Sequence, residues 1–122
     1  SFTLFPYTTL FRSLYWFTAL ETTVTNKKPS ECQNITDVRN EIDNIDNAII
    51  SLLGERFKYV KEVVKYKEKT ADGIEATDRK KAVLERRRKM AEERGLNPDV
   101  IEDIYKKLIQ YFISEEKKIV KI

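Results

Sequence analysis

Between Ile35 and Tyr66 apolar residues recur at heptad spacing without a break, and a positive charge sits inside the seam. Ile35, Ile42, Ile49 and Val63 mark one seam position, and Val38, Ile45, Leu52, Tyr59 and Tyr66 mark the other. The remaining seam position is Arg56. Such a pattern specifies one long helix with a partner along its apolar face. Short polar side chains at Asn34–Thr36 can cap its start, and it reads through to about Lys69, its only glycine being Gly54. At about 1.5 Å per residue it spans roughly 50 Å. A compact monomer of this size has a radius of gyration of only about 13–14 Å. No such monomer covers that seam, so a partner chain is implied, either as a coiled-coil strut or as an intertwined homodimer.

Arg56 and Lys67, eleven residues further on, point the same way from one continuous helix. Two unpaired cations on a buried face are destabilising unless an anion meets them. A register device, with Arg56 paired to an acid of the neighbouring helix, is the structural alternative.

The absences narrow the chemistry. The 122 residues contain no histidine and a single cysteine, Cys32. Triads, His–Cys dyads, imidazole metal ligands, an internal disulfide and a zinc site therefore fall away. No metal or cofactor is expected. The net charge of +3 is modest and the two signs are interspersed, which argues against a dedicated nucleic-acid binder. Asn34-Ile35-Thr36 is a formal glycosylation sequon, read here as polar residues at a helix entry. Arg86 to Lys89 is a basic run without interleaved aromatics, read as a solvated helix face.

Residues 1–30 form a tail outside the core domain, 31–122. Ser1 to Ser13 resembles the peptide obtained when sequencing-adapter DNA is translated. Residues 14–26 are either the end of an export signal or a floppy tail, although a basic start and a small-x-small cleavage site are both missing. The expected location is accordingly cytoplasmic, or periplasmic if 14–26 is an export remnant. The apolar stretch Leu4 to Leu20 is too short and interrupted for a membrane span.

Downstream, Thr70 to Thr77 reads as a loop. A second helix runs from about Asp78 to Glu93 with Thr77 as N-cap, and Gly95 supplies the left-handed position after it. Asn97-Pro98 restarts the chain as N-cap and first residue of a third helix, out to about Val120. Ile101, Ile104, Tyr105, Leu108, Phe112 and Ile119 form its apolar stripe, with Glu116 inside it. The expected architecture is all-α: three helices, one very long.

The charges that break the pattern are Arg39, Arg56, Lys67, Arg79 and Glu116. Arg39 and Arg56 lie ~25 Å apart along one helix, so they share a small ligand only if Arg39 arrives from another chain. Four cations and one carboxyl group suit a small dianion, with arginine forks gripping carboxylates.

From Pro29 to Val120 the chain resembles the all-helical type II chorismate mutases and their relatives, the isochorismate pyruvate lyases. The resemblance rests on Asp37-Val38-Arg39 followed by Ile42-Asp43 and Ile45-Asp46, and on Gly54-Glu55-Arg56 followed by Tyr59-Val60-Lys61. Lys67, Asp78-Arg79, Gly95-Leu96 and Ile109 to Glu116 complete it.

The resemblance implies an intertwined homodimer in which Arg39 reaches in from the partner and joins Arg56 and Arg79 on the carboxylates of chorismate or isochorismate. It implies that Lys67 donates to the ether oxygen whose bond breaks, that Glu116 contacts the same oxygen, and that Val63 and Phe112 help wall the pocket. The implied reaction is pericyclic, the Claisen rearrangement of chorismate to prephenate in aromatic amino-acid biosynthesis. The alternative is elimination of pyruvate from isochorismate to leave salicylate. Either is served by orientation and by donors placed where charge grows on oxygen. A carboxylate cannot donate, so Glu116 is expected to help only when protonated. Bacterial mutase domains often carry acids where this chain has Ala76 and Lys80, whereas Glu31-Cys32 and Tyr59-Val60-Lys61 look closer to the lyase branch. A non-catalytic helical dimerisation or regulatory module is the reading from another class.

Overall fold

The computed structural model describes residues 24–122. The readings of 1–13, and of 14–26 up to residue 23, lie outside them. The described residues are almost entirely helical and contain no strand. Helix α1 is Ile35–Val63, α2 is Ala71–Glu75, α3 is Thr77–Glu93 and α4 is Pro98–Val120. Short 3-10 turns cover Pro29–Glu31 and Val64–Tyr66. The all-α architecture with one very long helix is as expected, with one small helix added. No helix among the described residues is long and apolar enough to cross a membrane.

The chain divides into two compact units at Gly54 and Glu55. In the N-terminal unit Asn34 opens α1: its Oδ1 accepts the Asp37 N–H at 2.8 Å, and Asp37 reaches back to the Gln33 N–H at 3.0 Å. The preceding segment is tied to the same helix. The N–H groups of Asn26 and Lys27 both donate to the Glu41 carboxylate, and the Lys27 ammonium meets Asp37 at 3.0 Å. α1 buries none of its residues within the chain. Its seam is open: Ile35 and Leu52 are each 62% exposed.

The C-terminal unit holds the core. Ile74, Val83, Ile109 and Ile113 form one buried cluster, with Leu84 and Val120 packed on it. α3 and α4 pack against each other, and α2 leans on α4. The turn between α3 and α4 follows from its sequence. Gly95 adopts φ +72°, its N–H donates to Glu92 O at 3.2 Å, and the Leu96 N–H donates to Ala91 O at 2.9 Å. Asn97 Oδ1 then accepts the Asp99 and Val100 N–H groups, and Pro98 takes the first helical position.

Four local expectations are corrected. The first helix does not continue to Lys69. It ends at Val63, tightens into a 3-10 turn, and Lys67 is extended at φ −92°, ψ 153°. The Val64 carbonyl accepts the Lys67 N–H at 3.3 Å, and the Lys69 ammonium also donates to the carbonyls of Val64 and Lys67. Thr70–Thr77 is not a plain loop. Thr70 Oγ1 caps α2 by accepting the Gly73 N–H at 3.0 Å, and any side chain at Gly73 would run into Glu68. Thr77 does not cap α3 either. Ala76 holds that place in the left-handed region at φ 46°, ending α2 and starting α3 in one residue. Finally, α4 buries Ile109, Phe112, Ile113 and Glu116, while Ile104 and Ile119 of the expected stripe remain exposed.

Candidate active site

The C-terminal unit carries a cleft of about 270 Å³ walled by the end of α1, the Lys67 segment, α3 and α4. Arg56, Val63, Lys67, Arg79, Phe112 and Glu116, six of the seven candidates read from the sequence, line it together. Arg39 belongs to the N-terminal unit and is not among the lining residues.

The break in α1 aims Lys67. From extended backbone its ammonium reaches Ile74 O at 2.9 Å and Glu116 Oε1 at 2.8 Å. An ammonium has three donors, so two fix its direction and one is left for a bound oxygen. Glu116 arrives from α4, one turn beyond Phe112, and is only 3% exposed. A carboxylate this deep needs a charged partner, and Lys67 provides it.

Arg56 is half-buried, with its guanidinium 4.9 Å from the centroid of the Phe112 ring. Phe112 is itself stacked on Phe57, 5.4 Å between centroids. One terminal nitrogen, Nη1, is buried without a hydrogen-bond partner. Burial holds the Arg56 pKa below the ordinary arginine value. Tyr105 opposes that drop, Arg87 and Arg79 add to it, and Glu116 opposes it. A buried guanidinium donor with nothing to donate to is an open demand for an anion.

Two lining residues of note escaped the sequence reading. Glu75, at the end of α2, bridges Lys80 and Lys117, each at 2.9 Å. These two hydrogen bonds hold its carboxyl below the usual carboxylate range. Arg87 belongs to the run read as a solvated face, yet it lines the cleft. The signal was available: Arg79, Val83 and Arg87 are spaced four apart and share one face of α3. Its neighbour Arg88 turns instead to Asp99, at 2.8 Å.

Five cations, Arg56, Lys67, Arg79, Lys80 and Arg87, thus face two carboxylates, Glu75 and Glu116. Lys67 is matched by Glu116 and Lys80 by Glu75. The three arginines remain uncompensated within the cleft. A small, partly apolar dianion fits that balance, its ring against Val63 and Phe112 and its carboxylates on the arginines.

Known proteins share this arrangement of sequence. Isochorismate pyruvate lyase of Pseudomonas aeruginosa is 37% identical over 92 residues, which cover 75% of this chain and 90% of that protein. Chorismate mutase of Methanocaldococcus jannaschii is 30% identical over 86 residues, 70% of this chain and 87% of the relative. T-protein of Enterobacter agglomerans is 35% identical over 85 residues, and the chain spans only 23% of its length. The family described as chorismate mutase type II matches residues 38–117. That stretch contains the cleft's arginines, Lys67, Glu116 and also Arg39, and it places this chain in the chorismate mutase type II family.

Proposed function

We propose that the protein is a chorismate mutase, converting chorismate to prephenate in aromatic amino-acid biosynthesis, in a cleft completed by a second copy of the chain. The observation that carries this reading is the pairing of an unpartnered buried guanidinium nitrogen on Arg56 with a Lys67 ammonium fixed by two acceptors. Arg56 and Arg79 grip the two carboxylates and fold the enolpyruvyl arm over the ring, which removes most of the entropy of reaching the transition state. Lys67 spends its remaining N–H on the ether oxygen, where negative charge develops as the C–O bond stretches. A fixed donor of this kind is worth about 3–4 kcal/mol of barrier. Glu116, when protonated, donates to the same oxygen. Electrons move in a ring and no proton changes place, so neither a nucleophile nor a base is needed.

The open seam of α1 supports the homodimer. A row of isoleucines with Val38 and Leu52 left half-exposed along one helix is more apolar surface than a monomer ordinarily leaves in water. Arg39 of a second copy then supplies the fourth cation.

Isochorismate pyruvate lyase is the second reading. It is favoured by the 37% identity across nearly the whole of the Pseudomonas protein of that name, and by Ala76 and Lys80 at positions where mutase domains of this kind often carry acids. Incubating the purified chain with chorismate and, separately, with isochorismate decides between them. Prephenate from chorismate supports the mutase; salicylate plus pyruvate from isochorismate supports the lyase. No turnover of either, in a folded dimer, supports the non-catalytic helical module.

A further inference from the structure

We infer that Arg87 is a further carboxylate fork of this cleft beside Arg56 and Arg79, seated on Tyr105 as Arg56 is seated on Phe112. The inference rests on the reading of the cleft as a site for a small dicarboxylate. α4 carries the two rings seven residues apart, two turns and about 10 Å along one face. Each backs a guanidinium from a different helix. Arg56 of α1 lies 4.9 Å from the Phe112 centroid, and Arg87 of α3 lies 5.4 Å from the Tyr105 centroid. Stacking on an aromatic face holds the plane of a guanidinium while leaving its edge N–H groups free. That is the preparation a bidentate carboxylate site needs.

Charge points the same way. Among the described residues Arg87 has no carboxylate partner; its one hydrogen bond is a weak contact to Met90 Sδ at 3.7 Å. The adjacent Arg88 is satisfied by Asp99 and Glu102. Arg87 is also close enough to Arg56 to push that guanidinium's pKa down. Two like charges brought together beside a cleft repel each other until an anion lies between them. Arg79 and Arg87 flank the buried Val83 on one face of α3, ~12 Å apart along its axis. The cleft therefore offers forks on both sides of its apolar floor, and Arg87 sets how long a dianion it accepts.

The test uses the purified protein and two non-reacting probes that differ by one carboxylate, isophthalate and benzoate, in titration calorimetry. Arg87→Gln is expected to weaken isophthalate about tenfold or more while changing benzoate by less than about threefold. Arg87→Lys, which keeps the charge but loses the fork, should fall between Gln and the native residue. Arg88→Gln, of comparable chemistry and without a place in the cleft, should leave the isophthalate-to-benzoate ratio unchanged. In turnover of whichever substrate the enzyme accepts, Arg87→Gln should raise KM far more than it lowers kcat. An unchanged ratio in Arg87→Gln, or equal shifts in the Arg87 and Arg88 variants, overturns the inference. If the native protein turns over neither substrate but Arg87 still discriminates the probes, the catalytic reading falls and the fork stands.

Discussion

The ammonium of Lys67 and the carboxylate of Glu116 meet at 2.8 Å in the cleft wall, where Glu116 is almost completely shielded from water. The pair joins the extended segment after α1 to the C-terminal end of the buried face of α4. Because Glu116 Oε1 already accepts from Lys67, a proton that lets Glu116 donate to substrate has to sit on Oε2. Glu116→Gln, which places an amide donor where Glu116 has Oε2, is expected to leave kcat/KM at neutral pH equal to or above the native value. A loss of about tenfold or more contradicts this assignment.

The same pair makes a stability prediction. Lys67→Ala strands a buried carboxylate, whereas Glu116→Gln keeps an oxygen for Lys67 and strands nothing. Lys67→Ala should lose about 3 kcal/mol in urea denaturation at neutral pH. Glu116→Gln should lose about 1 kcal/mol or less.

Arg56 should behave in the opposite way. Its burial with an unpartnered nitrogen serves ligand binding and burdens the empty protein. Arg56→Met is expected to abolish turnover while leaving thermal stability unchanged or raising it by about 1 kcal/mol. Circular dichroism should report an unaltered helix content. Loss of folding instead would mark Arg56 as a register residue of the seam.

Glu75 gives a pH dependence of stability with a definite sign. Lys117 and Lys80 lower its pKa in the folded chain below the ordinary value of 4.5. Between those two values the unfolded chain binds more protons, so stability rises with pH there. The contribution is fully present above about pH 4.5 and is lost as pH falls through the folded pKa. Thermal melts of Glu75→Gln should therefore converge on the native protein in acid and fall below it at neutral pH.

Much of this was legible because it is local. Gly95-Leu96 and Asn97-Pro98 each specify a helix boundary within a few residues, and the structure puts those boundaries where the sequence does. The heptad from Ile35 likewise needs only its own spacing. The end of α1 was less legible because Val63 and Tyr66 keep the heptad in phase, while the contacts of Lys69 with the carbonyls of Val64 and Lys67 form only once the chain has turned. Lys67 still lines the cleft with Arg56, but from extended backbone rather than from the same helical face. Glu75 was invisible because its role depends on Lys117, brought near only by packing. The left-handed Ala76 gives no composition cue, since glycine is the usual occupant of such a position.

Whether a dianion site built by one chain is completed by Arg39 of the next can be read from a mixture of two inactive variants. Arg39→Ala and Arg56→Ala, unfolded together and refolded, form hybrid dimers in half of the random pairings. Each hybrid has one cleft with both arginines intact. Each variant alone is expected to be nearly inactive, and the mixture to recover about a quarter of native activity per chain. No recovery in the mixture, or an Arg39→Ala variant as active as the native protein, would contradict it.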